Sequence, residues 1–349
     1  MTDIRWQRYP RAADCGFARA WLLLQANLGL AKNTVDAYAR TVEEYLAFSA
    51  AKGVPVVNAT KDHIAAYVRD LTSRPHPRGP NVVVLDSGTG LANATLQQRI
   101  TAVRLFYDYL MEEGQRSTNP VGRGRYTPGK GFGGTRDRGL IPRFSKLPWI
   151  PNDQQWQAIL QAARTEGFRN RVMLALAYDS ALRREELCSL ETGDIDPAHR
   201  MVTIRTATTK TRRARVVPYS TATDDLLAAY LRRRRELTRD RGPLFLSESR
   251  RNSGRPITNW TWSKVVERIS DRSGVPEFTT HTTRHLCLTD LARANWDVQE
   301  IAAFAGHRSI STTLLYIHLS GRELAAKLAK GMAEIHAWRA QAAKEVLFE

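Results

Sequence analysis

Cysteine is scarce here: three residues among 349 (Cys15, Cys188 and Cys287), far apart and without CxxC spacing. That scarcity excludes a disulfide scaffold or a cysteine-based zinc site and fits a reducing compartment. Long apolar runs are missing too, none approaching the roughly 20 residues that span a bilayer. The cluster Leu22-Leu23-Leu24 is cut by Gln25 and Asn27, so it is too short for a signal-peptide core. A soluble, cytoplasmic protein is the expectation, with no membrane partner. Acidic residues are in deficit, 35 Asp and Glu against 52 Lys and Arg, for a net charge of +17 at pH 7. Hydrophobic content of 42% and aromatic content of 8% are ordinary, which excludes a wholly disordered chain. The length suits two domains, each able to bury a core without staples.

A basic balance this strong points to a polyanionic partner, because each phosphate neutralised releases counterions. The alternative is a charge kept for solubility alone, and the distribution separates the two. Between Arg116 and Lys146 stand eight cations and one acid, Asp137. The cations include Arg123, Arg125, Lys130, Arg136 and Arg138, all candidates for contact with a phosphate backbone. A second run, Arg232 to Arg235, falls at the predicted end of a helix, where the dipole alone favours positive charge.

Glycine and proline crowd residues 116–150 densely enough to forbid regular structure, so this stretch reads as a basic linker. Before it, residues 1–115 read as an all-helical domain. Asn33 is a plausible cap for a helix carrying Val35, Tyr38, Val42, Tyr45 and Phe48, and further helices are predicted over 62–71 and from Asn93. Aromatic residues at this spacing suit a core better than a base-stacking platform. After the linker, Asn152 with Gln155 resembles a capping box. A buried helix is expected over 171–178, and residues 201–205 and 214–218 alternate like the arms of a hairpin. Leu244-Phe245-Leu246 suggests an edge strand. The remainder reads as helical, with breaks near Gly274 and at Gly306.

Several polar residues stand at those breaks. Arg183 has Glu186 three positions on, Lys210 sits in the hairpin turn, and His281 and Arg284 are one helical turn apart. His307 follows Gly306, and Tyr316 lies nine residues beyond. Taken singly, each reads as a salt bridge, a solvated lysine or ordinary packing. Taken in order, Ala181-Leu182-Arg183-Arg184-Glu185-Glu186-Leu187, Lys210, His281-Thr282-Thr283-Arg284-His285, Ala305-Gly306-His307 and Leu315-Tyr316 resemble the signature of the tyrosine recombinase (phage integrase-like) family. Asn33 to Tyr38 and Asn119-Pro120 are similar to that family's core-binding domain.

The resemblance implies a mainly α fold with a small antiparallel β-sheet. It implies a two-domain clamp: a helical core-binding domain (1–115), the linker (116–150), a mixed α/β catalytic domain (151–319) and a C-terminal helical tail (320–349) for contact between protomers. It implies a catalytic set of Arg183, Lys210, His281, Arg284, His307 and the nucleophile Tyr316, supported by Glu186. Ala181 and Ala305 depart from the usual Gly and Leu, at positions without chemistry of their own. The implied activity is site-specific cutting and rejoining of double-stranded DNA, through a 3′-phosphotyrosyl bond and a Holliday junction, by a homotetramer.

The residue types suit that chemistry. Two guanidiniums present charged forks to the non-bridging oxygens of a pentavalent phosphorus. A phenol with an ordinary pKa near 10 needs cations or a base beside it, and His281 is the candidate base. Because the phosphotyrosyl bond keeps the phosphodiester's energy, neither cofactor nor metal is required. Alternatives are a type IB topoisomerase-like enzyme, a non-catalytic DNA-binding protein, and a metal site on His281, His285, His307 and His318.

Overall fold

The computed structural model describes residues 4–75, 90–122, 140–141, 147–209 and 213–319, with side chains up to Tyr316. Lys210, the candidate contacts Arg123, Arg125, Lys130, Arg136 and Arg138, and the tail 320–349 lie outside the described residues. The chain divides into two compact units, Met1–Lys146 and Leu147–Glu349. Among the described residues, no helix is long and apolar enough to cross a membrane.

The first unit is helical: α1 (Pro10–Asp14), α2 (Gly16–Asn27), α3 (Lys32–Ala51), α4 (Lys61–Ser73) and α5 (Asn93–Glu112). Its aromatic residues face inward. Trp21, Tyr45, Tyr67, Phe106 and Tyr107 are all fully buried, each burial contributing roughly 1.5–3 kcal/mol. The Tyr45 and Tyr107 hydroxyls bond to each other at 2.5 Å, which answers the cost of burying them. Asn33 does not cap α3. Ala31 holds the extended cap conformation (φ −56°, ψ 137°), and Asn33 lies inside the first turn, which the Thr34 N–H closes onto the Ala31 carbonyl at 2.8 Å.

The second unit packs α6 (Asp153–Arg164), α7 (Phe168–Asp179), α8 (Arg184–Cys188), α9 (Thr221–Leu237) and α10 (Asn259–Ser273) with a three-stranded antiparallel sheet. The Asn152–Gln155 capping box forms at the head of α6, with both bonds at 2.9–3.0 Å. In the sheet, β2 (Met201–Ile204) pairs with β1 (Ile195–Asp196) and β3 (Arg215–Pro218). The register sets Val202 against Val217 and Ile204 against Arg215.

Leu244-Phe245-Leu246 is not an edge strand. It makes isolated antiparallel bridges, Leu246 with Pro256 and the adjoining Pro243 with Glu191, and joins no strand of the sheet. The Leu244 N–H donates to the Leu190 carbonyl at 2.7 Å, and the Leu244 carbonyl accepts from Tyr230 Oη at 3.0 Å and Arg234 Nε at 3.2 Å. Arg234, alone in its basic run, is buried and bonds three loop carbonyls, those of Asp240, Pro243 and Leu244. That charge is a structural clasp rather than a solvated tip.

The rest of the second unit is α11 (Thr282–Arg293), α12 (Val298–Ala305) and α13 (Ile310–Leu319). Ala181, Cys287, Leu288, Ile301, Ala305 and Tyr316 form a separate small core among them. Two backbone reversals aim chain at this cluster. Gly306 ends α12 in the left-handed region (φ 63°), and Ala181 follows α7 with φ 46°. Glycine takes such angles freely, whereas alanine there costs about 1–2 kcal/mol.

Candidate active site

Glu186 organises one side of the cluster. Fully buried in α8, its carboxylate accepts from the Arg183 backbone N–H at 2.9 Å and from Arg183 Nη1 at 2.8 Å. It also accepts from Arg215 Nη1 at 3.1 Å and Nη2 at 2.7 Å, a bidentate pair reaching in from β3. Burial alone would raise this carboxyl's pKa, but the bonds and charge of Arg215, then those of Arg183, outweigh it and hold the group at about 2.

Arg284 organises the other side from α11, where it is buried. Nη1 donates to the Ala181 carbonyl, and Nη2 to the Ala305 carbonyl at 2.6 Å. The two alanines that depart from the family pattern therefore supply the carbonyls that aim this guanidinium. Ala181 does so from a strained left-handed conformation, so its position carries more than the sequence suggested. Burial, then the charge of Arg183, lowers the Arg284 pKa to about 9, which leaves it cationic at neutral pH.

His307 Nε2 lies 3.0 Å from Arg284 Nη2. A guanidinium only donates, so Nε2 accepts, and Nδ1 carries the hydrogen that meets Thr313 Oγ1 at 2.8 Å. The ring is therefore neutral. Burial, followed by Arg284 and Arg183, pushes its pKa down to about 3.

Tyr316 stands beside these groups on α13, its side chain buried. Its ring stacks on that of His307 at 6.1 Å between centroids and 9° between planes, and its hydroxyl meets His285 Nδ1 at 2.9 Å. Burial raises the phenol's pKa, while Arg284 and Arg183 pull it back. His285 is itself lowered to about 4, by burial first and then by His281 and Arg284.

Thus Arg183, Glu186, Arg284, His307 and Tyr316 converge from four separate segments. His281 occupies the cap position of α11, exposed, with its ring 6.3 Å from that of His285. The imidazole at the Tyr316 hydroxyl is that of His285, not His281. Among the described residues no group of three or more His, Cys, Asp or Glu side chains stands where it could hold a metal.

Sequence reasoning missed Arg215, His285 and Thr313. Arg215 left a trace as a cation on the same inward strand face as Val217, and His285 reads only as part of the His281–His285 run and as a ligand of the alternative metal site. His285 meets Tyr316 only through the packing of α11 and α13, whereas Thr313 meets His307 six residues upstream, across the turn that follows α12.

Such a cluster can seat a tetrahedral anion against two guanidiniums with a phenol at its edge. Residues 151–323 match the phage integrase family, and residues 21–114 match that family's N-terminal SAM-like domain. The chain belongs to the phage integrase family, the tyrosine recombinases. Members of the family are site-specific DNA recombinases.

Tyrosine recombinase XerC of Herpetosiphon aurantiacus is 25% identical over 301 residues, covering 85% of this chain and 88% of the relative. Transposase A from transposon Tn554 of Staphylococcus aureus is 28% identical over 315 residues, covering 85% of this chain and 86% of the relative. Among solved structures, the XerH recombinase in a post-cleavage complex with its difH substrate superposes with a TM-score of 0.62 at 21% identity. That match covers 87% of this chain and 80% of XerH, and it shows a shared tyrosine recombinase fold.

Proposed function

We propose that this recombinase cuts and rejoins double-stranded DNA at specific sites, with Tyr316 as nucleophile. The observation that carries the reading is the convergence of Arg183, Arg284, His307 and Tyr316 on one cluster, with Glu186 fixing Arg183 through the charged pair it shares with Arg215. Tyr316 Oη attacks the scissile phosphorus to form a 3′-phosphotyrosyl bond and release a 5′-oxygen. Arg183 and Arg284 stabilise the extra negative charge of the pentavalent state, a contribution on the order of 3 kcal/mol per preorganised donor. His307, whose Nε2 accepts from Arg284, holds that guanidinium in place beside the same oxygens. Lys210 protonates the departing 5′-oxygen, a role that rests on the family resemblance.

The freed hydroxyl of one duplex then attacks the phosphotyrosine of another, and repetition on the second strand pair passes through a Holliday junction. Exchange between two duplexes calls for four protomers, with residues 320–349 available for contact between neighbours. Residues 1–115 act as the core-binding domain, and the basic stretch 116–150 follows the phosphate backbone through Arg123, Arg125, Lys130, Arg136 and Arg138. That the XerH relative was captured with cleaved difH DNA supports DNA as the substrate class.

The test is a library of nicked suicide duplexes, sequenced from the covalently trapped ends. The expected result is one recurrent site, attachment through a 3′-phosphate, and loss of every adduct in Tyr316→Phe with DNA binding retained. Relaxation of supercoils on plasmids lacking any common site would instead support a topoisomerase-like activity. An undiminished adduct in Tyr316→Phe would remove the proposed nucleophile.

A further inference from the structure

A phenol cannot attack phosphorus while it keeps its proton, and burial makes the Tyr316 proton harder to lose. The arginines favour the phenolate but have no lone pair to receive a hydrogen. His307 is equally unsuited, because its Nε2 lone pair faces Arg284 and its Nδ1 hydrogen faces Thr313. Contact with the reacting oxygen falls instead to His285, whose Nδ1 lies 2.9 Å from Tyr316 Oη. The two rings come from different helices, α11 and α13, with centroids 5.7 Å apart and planes inclined by 32°. His281, the histidine of the His-x-x-Arg pair, lies one ring farther out on the exposed side.

We propose that His285 is a catalytic residue of this recombinase, the general base that takes the phenolic proton of Tyr316 onto Nδ1 during DNA cleavage. The inference rests on Tyr316 being the nucleophile, as argued above. As the bond from Oη to phosphorus forms, the Oη–H bond breaks and its proton moves to Nδ1, leaving His285 a cation with Nε2 also protonated. The bond from phosphorus to the 5′-oxygen breaks in the same displacement, and that oxygen takes a proton from the general acid assigned to Lys210. Religation runs in reverse: His285 returns its proton to Oη as Tyr316 leaves phosphorus.

A neutral imidazole is what the step needs, and the site provides one. Burial, His281 and Arg284 all disfavour a resting charge on His285. They also make it a weak base, so proton transfer accompanies attack rather than preceding it. The negative charge gathering on the phosphate beside Arg284 and Arg183 then offsets the cations that oppose protonation.

The experiment measures single-turnover adduct formation on the suicide duplex by the full-length protein. His285→Ala is expected to slow adduct formation by about 100-fold or more, the usual size of a general-base contribution, with DNA affinity unchanged. His285→Asn, which keeps a polar atom near the Nδ1 position, serves if the alanine variant melts early, and the same loss is expected. Two readouts, one on the nucleophile and one on the DNA, separate a base from a packing role. Placing 3,5-difluorotyrosine at 316 makes the phenol more acidic and should restore at least tenfold of the loss in either variant. A 5′-bridging phosphorothiolate, whose leaving sulfur needs no proton, should restore Lys210→Ala but neither His285 variant.

Adduct formation within threefold of the unsubstituted protein in a well-folded His285 variant would overturn the assignment. So would rescue by the phosphorothiolate in place of the fluorotyrosine. Tyr316→Phe in parallel keeps the two readings apart: adducts persisting there remove the nucleophile itself, whereas their loss beside an active His285→Ala removes only the base.

Discussion

Replacing Glu186 by glutamine removes a charge without removing volume, and its consequence follows from the four hydrogen bonds the carboxylate accepts. Two come from Arg215 and two from Arg183, all between 2.7 and 3.1 Å. Glutamine offers one oxygen and one NH2 group. At least one guanidinium or backbone N–H then faces another donor, inside a site where water cannot substitute. A carboxyl held at about 2 against its ordinary 4.5 corresponds to about 3 kcal/mol of preference for the folded, ionised form. Breaking a buried ion pair from one side independently predicts about 3–5 kcal/mol. Glu186→Gln should therefore destabilise the second unit by about 3 kcal/mol at pH 7.

The sign of the pH dependence also follows. The folded pKa is depressed, so the contribution is complete above the ordinary 4.5 and is lost as pH falls toward about 2. The gap between the two proteins should accordingly shrink to about half by pH 3. Urea titration with peptide-resolved hydrogen exchange can follow residues 147–349 apart from the first unit, which need not unfold with it. A gap below about 1 kcal/mol at pH 7, or one that stays constant down to pH 3, would refute the view that Glu186 is held by its paired charges.

Gly306→Ala should cost about 1–2 kcal/mol for a left-handed residue, and the new Cβ would meet Arg215 Nη1 at 3.0 Å; slower adduct formation should accompany the lower melting temperature. Arg234→Met should lower stability by about 2 kcal/mol by leaving loop carbonyls without a donor, whereas Arg232→Ala, on the exposed side, should stay within about 0.5 kcal/mol in the same urea titration. His285 and His307 should keep neutral-ring NMR shifts from pH 7.5 to 5, because their folded pKa values are lowered to about 4 and about 3. The unfolded chain binds those protons first, so stability from both groups is complete above about 6.5 and declines as pH falls below it. A ring titrating near 6.5 would show that its site is wetter than its burial implies.

How much of this was legible in the chain depends on the range over which each cause acts. Helix positions came from local periodicity and capping chemistry: the Asn152–Gln155 box and the stop at Gly306 are properties of a few neighbouring residues. Asn33 was misread because a good capping residue one turn fragment too late is indistinguishable, in sequence, from one in place. Leu244-Phe245-Leu246 was misread because its apolar pattern is that of any buried segment. Whether a strand edge or side chains such as Tyr230 and Arg234 satisfy its backbone is settled by groups brought from elsewhere.

The site divides along the same line. Arg183, Glu186, Arg284, His307 and Tyr316 are named through the resemblance of their order and spacing to the tyrosine recombinase signature; singly, each reads as a salt bridge or ordinary packing. That resemblance leaves their mutual orientation open. The clasp of Glu186 on Arg215, the carbonyls of Ala181 and Ala305 on Arg284, and the contact of His285 with Tyr316 all join segments remote in sequence. Sequence alone determined which chemical groups this protein owns. Only the packing of α8, β3, α11 and α13 decided which of them touch, because a hydrogen bond is set by distances of a few tenths of an ångström that no periodicity encodes.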